Sequence, residues 1–137
     1  AGPTTTSDLP VLVAEDHVPN RIVLQRQLAK LGYTSEAAEN GLIALKKAQE
    51  KRYFALITDC HMPEMNGYEL ASAIRNSEKQ SGSDRLPIIA LTASTEVEEV
   101  LRCKAAGMDE CLFKPVSVED LSKTLSALQG NAFDKST

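Results

Sequence analysis

The chain has no tryptophan, and only three tyrosines and three phenylalanines among its 137 residues. A surface for stacking nucleic-acid bases is therefore hard to build. Positive charge is not in excess either. Fifteen Lys and Arg face 19 Asp and Glu, for a net charge of −4. Phosphate-backbone binding wants a basic face, so no direct nucleic-acid contact is expected. No apolar run approaches the ~20 residues of a membrane span, and no signal-peptide pattern is read. Membrane contact by this domain is thus not expected. The three cysteines, Cys60, Cys103 and Cys111, include no CxxC pair. An odd, scattered set is a poor disulfide framework and points to the reducing cytoplasm. His17 and His61 lack HxxxH spacing, so no zinc site is expected. Neither GxGxxG nor GxxxxGK[ST] occurs, which argues against a nucleotide- or flavin-binding enzyme.

What is present is ordinary globular composition, 42% apolar and 25% charged, at a length that suits one domain. Residues 1–9 read as a flexible lead-in, 10–129 as the domain and 130–137 as a flexible tail. Within the domain one unit repeats five times: a short apolar run, a polar turn, a helical segment. The runs are Val11–Ala14, a weak Thr34–Ala37, Phe54–Thr58, Pro87–Leu91 and Cys111–Phe113. Short apolar runs bounded by turns fit strands buried on both faces. Helical stripes are read at Leu24, Leu28 and Leu31; at Leu42, Leu45 and Ala48; at Leu70 and Ile74; at Val97 and Leu101; and at Val118, Leu121, Leu125 and Leu128. Ser117 is a predicted N-cap, and SEKQSGSDR is read as a long polar loop. Five βα units predict an α/β fold, a doubly wound parallel sheet of flavodoxin-like (βα)5 type with strand order 2-1-3-4-5.

Open parallel sheets collect function at the carboxyl ends of their strands. Those ends carry Glu15 and Asp16, then Asp59, Thr92 and Lys114. Each has a plain alternative as a cap, a turn or a surface residue. Four strands delivering such residues at one end make that alternative poor. Three clustered carboxylates repel one another, and a hard divalent cation relieves the repulsion. A carboxylate beside a Lys ammonium and a Thr hydroxyl is also equipped for phosphoryl transfer. An aspartyl phosphate accounts for these residue types together.

On the segments VLVAEDHVPNR, ALITDCHMPEMNGYEL, PIIALTAS and AAGMDECLFKPV, the sequence resembles the receiver domain of two-component response regulators. The DxxMPxMxGxE run from Asp59 to Glu69 is the most specific of these, and the likeness covers about residues 10–128. The wording is most similar to receivers inside hybrid sensor histidine kinases of the virulence-sensor type. The resemblance implies that Asp59 accepts a phosphoryl group from a histidine kinase domain. It implies Mg²⁺ held by Asp16, Asp59 and the His61 carbonyl, with Glu15 helping through water, and phosphate-sensing roles for Thr92 and Lys114. It also implies onward transfer to a histidine phosphotransfer domain, in the cytoplasm or in the cytoplasmic part of an inner-membrane sensor kinase. A stand-alone single-domain regulator, or a receiver-like interaction module that never meets phosphate, is the alternative. Whether the chain counts as an enzyme stays open, since such a domain takes part only in its own phosphorylation. Many receivers carry Tyr or Phe three residues before the lysine; here that position is Cys111, which puts an aromatic switch in doubt. On the first helix Ile22 lies about 160° from Leu24, so it is expected to point outward as a candidate partner contact.

Overall fold

The computed structural model describes residues 9–82, 84–93 and 96–136, with side chains described through residue 128. The expected lead-in falls outside these residues except for Leu9, as do the side chains of the expected tail. Strands β1 (Val11–Ala14), β2 (Ser35–Ala38), β3 (Ala55–Asp59), β4 (Ile88–Thr92) and β5 (Glu110–Phe113) alternate with helices α1 (Val18–Lys30), α2 (Gly41–Glu50), α3 (Gly67–Ser81), α4 (Val97–Ala105) and α5 (Val118–Ser136). The five strands form one sheet in the order β2-β1-β3-β4-β5, and every pair is parallel. The expected flavodoxin-like arrangement is the observed one. The backbone of α5 continues past residue 129, where the domain was expected to end, and no proline interrupts it.

Alternation along each central strand feeds two cores. Leu12, Leu56, Ile88 and Ala90 face one side and pack with Ala44, Leu70, Ile74 and Cys103. Val11, Val13, Ile57, Ile89 and Leu91 face the other and pack with Leu24, Leu28, Leu121 and Leu125. Strands β1, β3 and β4 are buried along their whole length, as continuous apolar runs in a parallel sheet require. Burying one such Leu or Ile contributes roughly 1.5–3 kcal/mol. These two layers hold the strand ends, and hence the site, at fixed spacing.

Three local readings are corrected. On α2, Leu42 is 47% exposed, and the inward face is Gly41 and Ala44. Leu45 and Ala48 of the expected stripe pack against the first core, but a Cβ on Gly41 would meet the Met65 backbone, so the closest approach is made by the small residues and Leu42 is turned out. On α4, Val97 and Leu101 are 72% and 59% exposed, while Cys103 is the buried residue. Both helices carry apolar residues on two faces, and periodicity alone does not say which turns inward. The polar run after Ile74 is largely helix, because α3 continues to Ser81 and ends on Gly82 in the left-handed conformation. Arg75 supports this extension by pairing with Glu78 at 3.0 Å and with Asp109 at 2.9 Å. Ser117 caps α5 as expected, its hydroxyl accepting from the Asp120 N–H at 3.1 Å. No helix among the described residues is long and apolar enough to cross a membrane.

Candidate functional site

The carboxyl ends of β1, β3, β4 and β5 converge on one crevice. Glu15 follows β1 directly and is 1% exposed. Its Oε2 accepts the His17 backbone N–H at 3.1 Å, and its backbone carbonyl accepts from the Arg21 guanidinium at 2.9 Å. Asp59, the last residue of β3, is also buried. Carboxylate oxygens of Glu15, exposed Asp16 and Asp59 lie within 4.8 Å of one another. Lys114, just past β5, places its Nζ 3.0 Å from Asp59 Oδ2 and 3.5 Å from Glu15 Oε1. Thr92 ends β4, is buried, and accepts the Lys114 backbone N–H on its carbonyl at 2.9 Å. Five of the six expected residues thus flank one place. His61 is attached more loosely: its backbone N–H points to Asp59 Oδ1 at 3.5 Å, and its exposed ring meets the edge of Tyr68.

The electrostatics are unbalanced in a defined way. Burial raises the Glu15 carboxyl above its usual value, and the negative charge of Asp59 pushes it further. Glu15 Oε1 is buried without a hydrogen-bond partner. Facing carboxylate oxygens can only accept, so neither satisfies the other. Burial alone would lower the Lys114 ammonium. Its hydrogen bond to Asp59 and the charges of Asp59 and Glu15 outweigh this and hold it above the usual lysine value. One ammonium against three carboxylates leaves negative charge in excess. A buried carboxylate oxygen with no hydrogen bond and only a 3.5 Å ion pair, within an all-oxygen donor set, fits a hard divalent cation such as Mg²⁺.

Two positioning features escape a reading by residue type. Gly67 opens α3, and a Cβ there would lie 2.4 Å from the Asp59 carbonyl oxygen. The Gly67 N–H donates to the Cys60 carbonyl at 3.0 Å, closing the loop after Asp59. Asn66 and Glu69 form a reciprocal capping box that fixes the start of the same helix. The N-x-x-E spacing was the available signal. Arg21 and the His17 N–H, which hold Glu15, carry no spacing signal. At the β5 edge, Cys111 is half-buried against the first core, and Phe113 is 39% exposed.

Beside the crevice lies a mostly apolar cavity of about 320 Å³ between α1 and the β5–α5 connection. Glu15, Val23, Leu24, Gln27, Lys114 and Val116 are among its walls. Ile22 is 43% exposed on the neighbouring surface, as its phase predicts, with Val18 and Val23 also exposed. A larger cavity of about 620 Å³ opens at the opposite end of the sheet and contains none of the site residues.

The model of the response regulator receiver domain matches residues 11–126. The chain is 45% identical over 126 residues to the virulence sensor protein BvgS of Bordetella bronchiseptica, and 42% identical over 125 residues to the sensor protein EvgS of Escherichia coli K12. These alignments cover 90% and 91% of this chain but only a tenth of either relative. Among solved structures, the receiver domain of a Pseudomonas aeruginosa sensor histidine kinase, described with a magnesium ion in its active-site cleft, superposes with a TM-score of 0.80 at 34% identity. That match covers 89% of this chain and 98% of that one. The Saccharomyces cerevisiae response regulator receiver Ssk1, crystallised with the histidine phosphotransfer protein Ypd1, gives 0.82 at 31% identity over 86% of each chain. With this sheet order, this run of strand-end residues and these likenesses, the chain belongs to the response regulator receiver domain family of two-component signalling.

Proposed function

We propose that Asp59 accepts a phosphoryl group from a phosphohistidine and that the chain relays it to a histidine phosphotransfer domain. The observation that carries this reading is the Lys114 ammonium 3.0 Å from a nearly buried Asp59 carboxylate, inside an acidic cluster that needs a cation. An Asp59 oxygen attacks phosphorus while the nitrogen–phosphorus bond of the donor breaks and the imidazole leaves. Lys114 holds positive charge against the transferring oxygens, and the Thr92 hydroxyl donates to one of them after transfer. Glu15, Asp16, Asp59 and the His61 carbonyl are the proposed Mg²⁺ ligands, Glu15 acting through water. Mg²⁺, when bound, offsets negative charge on the phosphoryl oxygens and on the carboxylates. The test is incubation with acetyl phosphate, followed by intact mass. One phosphoryl adduct is expected in Mg²⁺ and none in excess chelator. An adduct that ignores the chelator would refute the cation requirement.

The relay half of the proposal draws on sensor-protein relatives and on the neighbour crystallised with a phosphotransfer protein. We accordingly place the domain in the cytoplasm, within a hybrid sensor histidine kinase. Exposed Ile22 and Val23 beside the α1 cavity offer an apolar footing for a helical partner next to Asp59. Ile22→Asp is expected to slow transfer to or from a histidine phosphotransfer protein by about tenfold or more, the scale of one lost apolar anchor. Labelling by acetyl phosphate and the melting temperature should hardly move, since the core and the acidic site are untouched. Equal loss with both donors would place the damage in the site.

Cation binding also has a stability readout. Glu15→Gln keeps an oxygen for the His17 N–H and gains an amide that can donate towards Asp59. It relieves the repulsion with Asp59 but also gives up the 3.5 Å ion pair to Lys114, so the metal-free fold should change by less than about 1 kcal/mol. Mg²⁺ at 100 times its dissociation constant should stabilise the wild type by about 2.7 kcal/mol. Glu15→Gln should need more Mg²⁺ for the same gain. Thermal melts with and without Mg²⁺ check both, and a wild type indifferent to Mg²⁺ would contradict a cation site.

A further inference from the structure

On the other side of Asp59 the chain brings together sulfur ligands that its spacing conceals. Cys60 directly follows Asp59 and is fully buried; Cys103 on α4 is 1% exposed. Their Sγ atoms are 3.8 Å apart. Both are free thiols. Glu99 stands one helical turn before Cys103, so the two share a helix face. Sγ of Cys60 and Cys103 and a Glu99 carboxylate oxygen all lie within 4.8 Å of one another. Glu99 Oε2 is buried there without a hydrogen-bond partner.

Two buried thiols in van der Waals contact would by themselves be ordinary core packing. The orphaned carboxylate oxygen is what core packing leaves unexplained. A buried acceptor without a donor is costly, and a cation removes that cost. The sulfur separation is also suited to one. Two ligands on a tetrahedral ion with metal–sulfur bonds of about 2.3 Å sit about 3.8 Å apart. We propose that Cys60, Cys103 and Glu99 form a second metal site, for a thiophilic divalent cation of the zinc class. Ligation displaces the thiol protons to solvent. Two thiolates and a carboxylate select against Mg²⁺, which prefers oxygen alone, so this site and the acidic crevice take different ions.

The ion would clamp α4 to the end of β3. Cys103 is the one buried residue of α4. The clamp would act on the residue next to Asp59, so metal occupancy and the acceptor loop share one support. The binding site itself does not depend on the phosphoacceptor reading.

The test is titration of the reduced chain with Co²⁺ in excess Mg²⁺, which keeps the acidic crevice occupied. One equivalent should bring up sulfur-to-cobalt charge transfer and the visible bands of a tetrahedral ion, and Zn²⁺ should displace it and raise the melting temperature. Glu99→Gln, on a partly exposed residue that leaves the core intact, should weaken binding about tenfold or more. Cys103→Ala should abolish the charge-transfer band. Absence of that band in the wild type, or its persistence at full strength in Cys103→Ala, would overturn the site.

Discussion

Asp59→Asn is expected to leave the chain unable to take up a phosphoryl group from acetyl phosphate in Mg²⁺, with labelling reduced by at least about 100-fold. The side chain keeps its shape, so it still fits the end of β3, but the amide is no longer an anionic nucleophile. Among the described residues none nearby replaces it. Glu15 is 1% exposed, and its Oε1 faces into the acidic cluster, 3.5 Å from Lys114 Nζ. Asp16 is exposed to solvent, and the Lys114 ion pairs are made to Glu15 and Asp59. Among the described residues, only Asp59 combines a position at the crevice with the 3.0 Å contact to Lys114. Intact mass and acid-lability of the adduct measure the outcome. Labelling of Asp59→Asn at the wild-type rate would move the acceptor elsewhere.

The ends of β1, β3 and β4 were legible because Glu15, Asp59 and Thr92 each close a buried, largely apolar run, whereas Lys114 follows a strand with exposed Glu110 and Phe113. Asp59 after Ala55–Thr58 and Thr92 after Ile88–Leu91 stand out by contrast in polarity. The sheet order followed from five βα units, and with it the convergence of β1 and β3. Helix faces were less legible. Leu42, Val97 and Leu101 look like core and lie outside, while Gly41, Ala44 and Cys103 take the inward positions. Close approach between elements selects small residues, and hydropathy gives a glycine no weight. The pairing of Cys60 with Cys103 was invisible for another reason. Forty-three residues separate them, and only the docking of α4 against β3 joins them. Backbone contacts such as the His17 N–H on Glu15 cannot be read from residue type at all.

Gly67→Ala tests how tightly the acceptor is held. Alanine at the start of α3 should help the helix by up to about 1 kcal/mol. Against that, the new Cβ would stand 2.4 Å from the Asp59 carbonyl oxygen and 3.0 Å from the Cys60 Cα. Both are backbone atoms, so no side chain can rotate out of the way. Overpacking of this kind costs about 1–3 kcal/mol, and a clash with backbone belongs at the upper end. The net expectation is a loss of about 1–2 kcal/mol, read as a lower midpoint in urea. The larger effect should be on chemistry. To relieve the clash, the end of β3 must move away from α3, and Asp59 moves with it relative to Lys114. Displacement on the order of 1 Å in a reacting group costs about 100-fold in rate. Phosphorylation by acetyl phosphate, measured where the variant is fully folded, should therefore fall by between about 10- and 100-fold. Gly41→Ala is the matched control, because its Cβ meets the Met65 backbone, further along the same loop. It should lose stability with a smaller loss of rate. Equal rate losses in the two variants would mean that the loop as a whole, and not the Gly67 contact, sets the position of the acceptor.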